Sequence, residues 1–82
     1  MKYWLNLFTG KTWDEFQAAG SKVTGFREHI WQRAAKIQQG DIFLCYMVGV
    51  KRWVGLLEVT KARHKDDSAI FSEDVFPVRF EV

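Results

Sequence analysis

Cysteine and proline are almost missing from this chain: Cys45 and Pro77 are the only ones among 82 residues. A single cysteine excludes a disulfide framework. Its place in the apolar run "IFLCYMV" points to inert core packing rather than a reactive thiol. A reducing, cytoplasmic setting fits that usage. No Pro/Gly/Ser-rich linker, low-complexity tract or repeat at solenoid spacing divides the chain, so residues 1–82 read as one domain. No run approaches the ~18 apolar residues of a membrane span, and Met1 to Thr9 is too short and too aromatic for a secretion signal. Metal ligands are few: His29 and His64 lie far apart and accompany one cysteine, so zinc spacing is missing and no cofactor is expected. There is no phosphate-cradling glycine loop, nucleophile elbow or HExxH. The acidic pairs Asp66-Asp67 and Glu73-Asp74 fall in loops with nothing nearby to tune them. The expected role is binding, not catalysis.

What is present is apolar and aromatic. Hydrophobic residues make up 48% and aromatics 16%, which is material for one tight core. The length exceeds the ~40 residues below which disulfides or metals are usually required. Net charge is only +2, which by itself does not demand nucleic acid. Local grouping says more. Lys51-Arg52 form one pair, and Lys61, Arg63, His64 and Lys65 form a denser cluster. They read either as solvated loop tips that keep sheet edges soluble or as a rim that contacts phosphates.

Lys2 to Phe8 is a candidate strand. Thr12-Trp13-Asp14-Glu15 has the form of a capping box, with a short helix following and Gly20 ending it. Ser21 to Phe26 reads as a loop or short extended piece. Glu28 to Gln38 reads as a helix with Ile30, Ala34 and Ile37 on one stripe, closed by Gly40. Asp41 to Val48 is apolar on both faces, as a strand covered on each side would be. Gly49 to Arg52 turn the chain, and Trp53 to Thr60 return as a hairpin arm on which Trp53, Gly55, Leu57 and Val59 share the inward face. Gly55 implies a close approach to its backbone. Phe76 to Val82 alternates as a last strand. Trp4, Trp13 and Trp31 read as core or helix-packing residues. The order predicts an α+β domain: a small, partly closed β-barrel or curved sheet with two helices packed on it.

Several stretches together resemble the EVE domain, a PUA-like family related to the YTH readers of modified bases. "KYWLNLFTGKTW" is similar to the family's opening strand. "VTGFREHIWQRAAKIQQGDIFLCYM" resembles its loop, helix and following strand, and "VGVKRWVGLLEV" its glycine-bearing hairpin. "FSEDVFPVRFEV" resembles the YTH stretch in which two aromatics five apart precede an Arg-Phe-acid-Val strand. The resemblance implies a PUA-like barrel that binds DNA or RNA and holds a flipped, modified base (methylated or hydroxymethylated) in an aromatic cage. Phe71 falls where YTH-like domains place a cage tryptophan, and Phe76 where some place a second. Thr24 stands where the family often has another, with Phe26 two residues on as a replacement wall. Asn6, Thr9 and Ser72 are candidates to bond a base edge, and Tyr46 is either core or pocket floor. Lys51, Arg52, Lys61, Arg63 and Lys65 would hold phosphates, setting affinity but not specificity.

Domains of this kind supply target recognition in prokaryotic modification-dependent restriction systems, where a fused or partner nuclease or motor cleaves. The chain stops directly after "VRFEV", earlier than EVE domains usually do. Either the barrel closes with fewer strands, or the chain is a fragment lacking a C-terminal strand or the N-terminal reader of a longer protein. Two other readings stand beside the reader: a general PUA-like module for tRNA or structured RNA, and a non-catalytic protein-interaction domain with an exposed apolar edge.

Overall fold

The structure is a computed structural model that describes residues 1–72 and 74–82. Glu73, read above as half of an acidic pair, lies outside the described residues. The elements are β1 (Tyr3–Phe8), α1 (Gly10–Ala18), β2 (Val23–Phe26), a 3-10 turn (Glu28–Ile30) leading into α2 (Trp31–Ala34), β3 (Ile42–Met47), β4 (Arg52–Glu58), β5 (Lys61–Lys65) and β6 (Val78–Glu81). They form two three-stranded sheets, ordered β1-β3-β4 and β2-β6-β5. β1 and β3 run parallel, which requires the long crossover through α1, β2 and α2. The other pairs are antiparallel.

The α+β class stands, with two short helices rather than one short and one long. The expected helix over 28–38 is a 3-10 turn and a single α-helical turn. The first helix starts earlier than its capping signal suggested. Thr9, not Thr12, is the cap: its hydroxyl accepts from the Thr12 amide at 3.1 Å, and its own amide donates to the Thr12 hydroxyl at 2.9 Å. Threonine thus stands where a capping box usually has Glu or Gln.

Chain continuity links the sheets at one corner, where β4 passes into β5 and the Thr60 amide donates to the Glu81 carbonyl at 2.8 Å. At the opposite corner no backbone ladder joins β1 to β2 among the described residues. A buried side-chain bond spans that gap instead: Asn6 Nδ2 donates to Thr24 Oγ1 at 2.8 Å.

The core lies between the sheets and under α1. Phe43 meets Phe26 and Phe80 at centroid distances of 5.5 and 5.3 Å, while Phe8, Trp13 and Phe16 form a second cluster. Such ring pairs contribute about 0.5–1.5 kcal/mol each beyond burial. Cys45 is buried in this core, and desolvation pushes its thiol up to about 11.

Two strand readings are corrected. Pairing slips between Cys45 and Tyr46, where β4 has one residue more than β3. This bulge reverses the side-chain phase at the start of β4. Trp53, expected to face inward with Leu57, is therefore 64% exposed and packs edge-to-face on Tyr46. The last strand begins at Val78, not Phe76, because Phe76 has φ +49°, which an extended strand does not allow.

Candidate functional site

A pocket of about 340 Å³ opens at the end of the domain where β1 runs into α1. Leu7 and Phe8 reach it from β1, Thr9 and Thr12 from the helix start, Gly25 and Arg27 from β2 and its end, Val48 from the β3–β4 turn, and Phe71 and Phe76 from the loop before β6. Phe71 and Phe76 stand nearly perpendicular, 5.2 Å between centroids and 83° between planes. The Arg27 guanidinium lies 5.6 Å from the Phe76 centroid and 3.8 Å from the Asp74 carboxylate. A pocket of this size is at the small end for ligand sites, and its lining is apolar with a few polar groups at one side.

The loop that presents both rings is held by Arg79. This side chain is fully buried, and among the described residues it bonds carbonyls rather than carboxylates. Nε donates to the Phe76 carbonyl at 2.7 Å, and Nη2 donates to the carbonyls of Ser68 and Val75, each at 2.8 Å. Nη1 reaches the Ser68 hydroxyl at 3.3 Å. Burial lowers the Arg79 pKa, and nearby Asp66 and Asp67 oppose that shift. The guanidinium stays charged regardless. Its fixed fork reaches acceptors at positions 68, 75 and 76 at once, which suits a loop without secondary structure of its own.

Gly25 completes the arrangement. A Cβ on it would lie 2.7 Å from the Phe76 carbonyl oxygen and 2.9 Å from Phe76 Cβ. Only a residue without a side chain lets β2 pass this close to Phe76. The close approach expected at Gly55 is milder, since a Cβ there would meet Trp13 at 3.5 Å, an ordinary contact.

Of the expected pocket residues, Phe71, Phe76 and Thr9 come together here, with the Thr9 hydroxyl engaged in capping α1. Thr24 and Asn6 are spent on each other in the interior. Phe26 lies on the other side of β2 from Gly25, against Phe43 and Phe80, so it does not replace the missing wall. Tyr46 faces the outer surface beside Trp53. Ser72 is exposed, and its amide donates to Glu15 on α1 at 3.0 Å, which ties the aromatic loop to the helix.

The basic residues divide. Lys51 and Arg52 are exposed at the β3–β4 turn, next to Val48 at the pocket mouth. Lys61, Arg63 and Lys65 lie on β5, which was read as a loop cluster but pairs with β6. Lys65 sits opposite Val78, at the pocket end of its sheet, whereas Lys61 lies opposite Glu81, about 13 Å further along. Arg63 stacks on Trp31 at 3.8 Å and donates to the Trp31 carbonyl. Lys65 lies 4.9 Å from the same ring and 2.6 Å from Glu28. Lys61 pairs with Glu81 at 3.4 Å.

Sequence reasoning missed Arg27, Gly25 and Arg79 as parts of this site. The signal for Arg79 was faint: a cation between Val78 and Phe80 looks like the solvent side of an alternating strand. Among the described residues, no group of acidic, His or Cys side chains could hold a metal ion, and no helix is long and apolar enough to cross a membrane. Set against known proteins, the chain matches no family model and no curated protein.

Proposed function

We propose that the domain is a partly closed, PUA-like barrel of the EVE type that reads a modified base in nucleic acid, acting in the cytoplasm as the recognition module beside a fused or partner nuclease or motor. The observation that carries the reading is the perpendicular Phe71–Phe76 pair lining a pocket of about 340 Å³ with Arg27 over its rim. A methylated base is flat and apolar on its faces. Aromatic walls grip such a face for about 1–3 kcal/mol per base without reading its edge. Arg27 supplies a charge beside the entrance, and Lys51, Arg52 and Lys65 flank the same end of the domain.

Extracting a base from a duplex costs a few kcal/mol, which one stacked base only just offsets. Phosphate contacts must supply the remainder, so binding falls steeply with salt. The same arithmetic favours single strands and mismatched sites over intact duplexes. The Lys65–Glu28 pair is exposed and contributes at most ~1 kcal/mol, so a phosphate displaces it at small cost.

The test is binding, at fixed low salt, to matched single strands and duplexes that carry unmodified cytosine or adenine, methylcytosine, hydroxymethylcytosine or methyladenine. Phe76→Ala and Phe71→Ala are run in parallel with circular dichroism to check folding. The proposal expects one modification to be preferred, and Phe76→Ala to weaken that preference by roughly 5- to 150-fold. Equal, salt-dependent binding to every strand, unchanged by Phe76→Ala, would leave a basic surface of the general RNA-binding kind and refute the reader.

A further inference from the structure

The outer face of the β1-β3-β4 sheet is apolar and open. Register places three rows across it: Tyr3–Ile42–Glu58, Leu5–Leu44–Leu56 and Leu7–Tyr46–Trp53. One charge, Glu58, appears among these nine positions. Tyr3, Leu5, Leu7, Trp53 and Leu56 are each 55–67% exposed. The apolar run Asp41 to Val48 reads as a strand covered on each side, and the residues flanking Leu44 across the sheet are bare instead. The bulge opposite Cys45 and Tyr46 creates the patch by turning Trp53 outward to join Leu56.

The five exposed side chains present on the order of 600 Å² of surface, at the upper end of the ~300–600 Å² patch that monomers normally show. Two such faces stacked together would remove at most about 1,200 Å² from water, against the ~1,000 Å² expected of a specific interface. We infer that this face is the interface of a symmetric homodimer, two copies packing sheet against sheet through the Leu5–Leu44–Leu56 row.

The pattern of the face favours a second copy over a different partner. A two-fold axis lying in the interface and crossing the strands sets each strand over its own mate, running the opposite way. The central leucine row then meets itself. Glu58 of one copy then lies over the Trp53 row of the other, so the one charge of the face does not meet its own mate. A shallow apolar dent lined by Leu44, Trp53, Gly55 and Leu56 gives the facing side chains somewhere to sit. Sheets stacked in this way cross at about 30°. Leu7 also lines the pocket described above, so each pocket opens at the margin of the interface.

Sedimentation equilibrium from low micromolar to sub-millimolar protein tests the inference. The expected result is reversible association to twice the 9.6 kDa chain mass, with Leu56→Glu and Leu5→Glu each weakening it on the order of thirtyfold or more. Both residues are exposed in the isolated chain, and unchanged circular dichroism would show that these variants fold. A wild-type chain that stays monomeric throughout, or a dimer indifferent to Leu56→Glu and Leu5→Glu, would overturn the inference.

Discussion

Replacing Arg79 with methionine gives the most direct reading of how the aromatic loop is held. The change keeps most of the aliphatic stem and deletes a guanidinium that bonds three backbone carbonyls and one hydroxyl. A bond of this charge-assisted kind contributes about 1.5–3 kcal/mol where its partner cannot be resolvated, and about 1 kcal/mol where water can reach it. The carbonyls of residues 68, 75 and 76 belong to a surface loop, so the lower figure applies to each. Relief from burying a charge returns part of the loss. The net expectation is about 3 kcal/mol of destabilisation. A chain of this size has roughly 4–12 kcal/mol in total, so the variant should still fold, with Tm lowered by about 12–24 °C. Urea unfolding followed by tryptophan fluorescence measures the stability. Hydrogen exchange should localise the damage to residues 66–77. Arg79→Lys should recover less than half the loss, because one ammonium cannot span acceptors at three positions. An Arg79→Met protein within ~0.5 kcal/mol of wild type, or full rescue by lysine, would show that the loop is held by something else.

Two further outcomes follow from single contacts. Gly25→Ala forces a methyl group into the Phe76 backbone, at a cost of about 1–3 kcal/mol in urea unfolding and with weakened base binding; a variant of unchanged stability would mean the loop yields easily. Asp41 accepts from the Gln38 amide at 3.0 Å, the Trp4 indole at 2.9 Å and the Lys2 amide at 3.1 Å, and these bonds, led by Gln38, hold its carboxyl below its ordinary 3.8. Its folded pKa is depressed, so its contribution to stability is present above the unfolded value and disappears as pH falls through the folded one. Urea midpoints measured downward from about pH 5 should therefore drop less steeply in Asp41→Asn than in wild type; identical slopes would remove Asp41 from the acid transition.

Much of the framework was legible along the chain. Lys2 to Phe8, Asp41 to Val48 and the hairpin return announce themselves through aliphatic and aromatic density, and each forms a strand within a residue or two. Burial of Cys45 followed from its neighbours. Lys61 to Lys65 did not announce itself, because Lys-Ala-Arg-His-Lys has no apolar alternation and becomes a strand only by pairing with β6. The helix expected over 28–38 shortened to a 3-10 turn and one α-helical turn, although Ile30, Trp31, Ala34 and Ile37 all pack on the core.

The candidate site shows the same division. Composition and local pattern determined an aromatic core; they read Phe76 as the first residue of a strand, and only the family resemblance set it beside Phe71. Tertiary structure alone decided which residues those rings would meet. Thr24 and Phe26, adjacent to Gly25 in sequence, point away from the pocket because successive strand residues face opposite sides. Arg27, two residues past Gly25, returns to it. A one-residue slip between Cys45 and Tyr46 turned Trp53 from core to surface, and no periodicity in β4 by itself records where its partner strand slips. Arg79 is fully buried because three carbonyls converge on it from a loop three to eleven residues upstream. That convergence is a property of the folded loop. A chain read in order carries the charges and the rings, and only the folded loop between β5 and β6 brings together the acceptors that make a buried cation affordable.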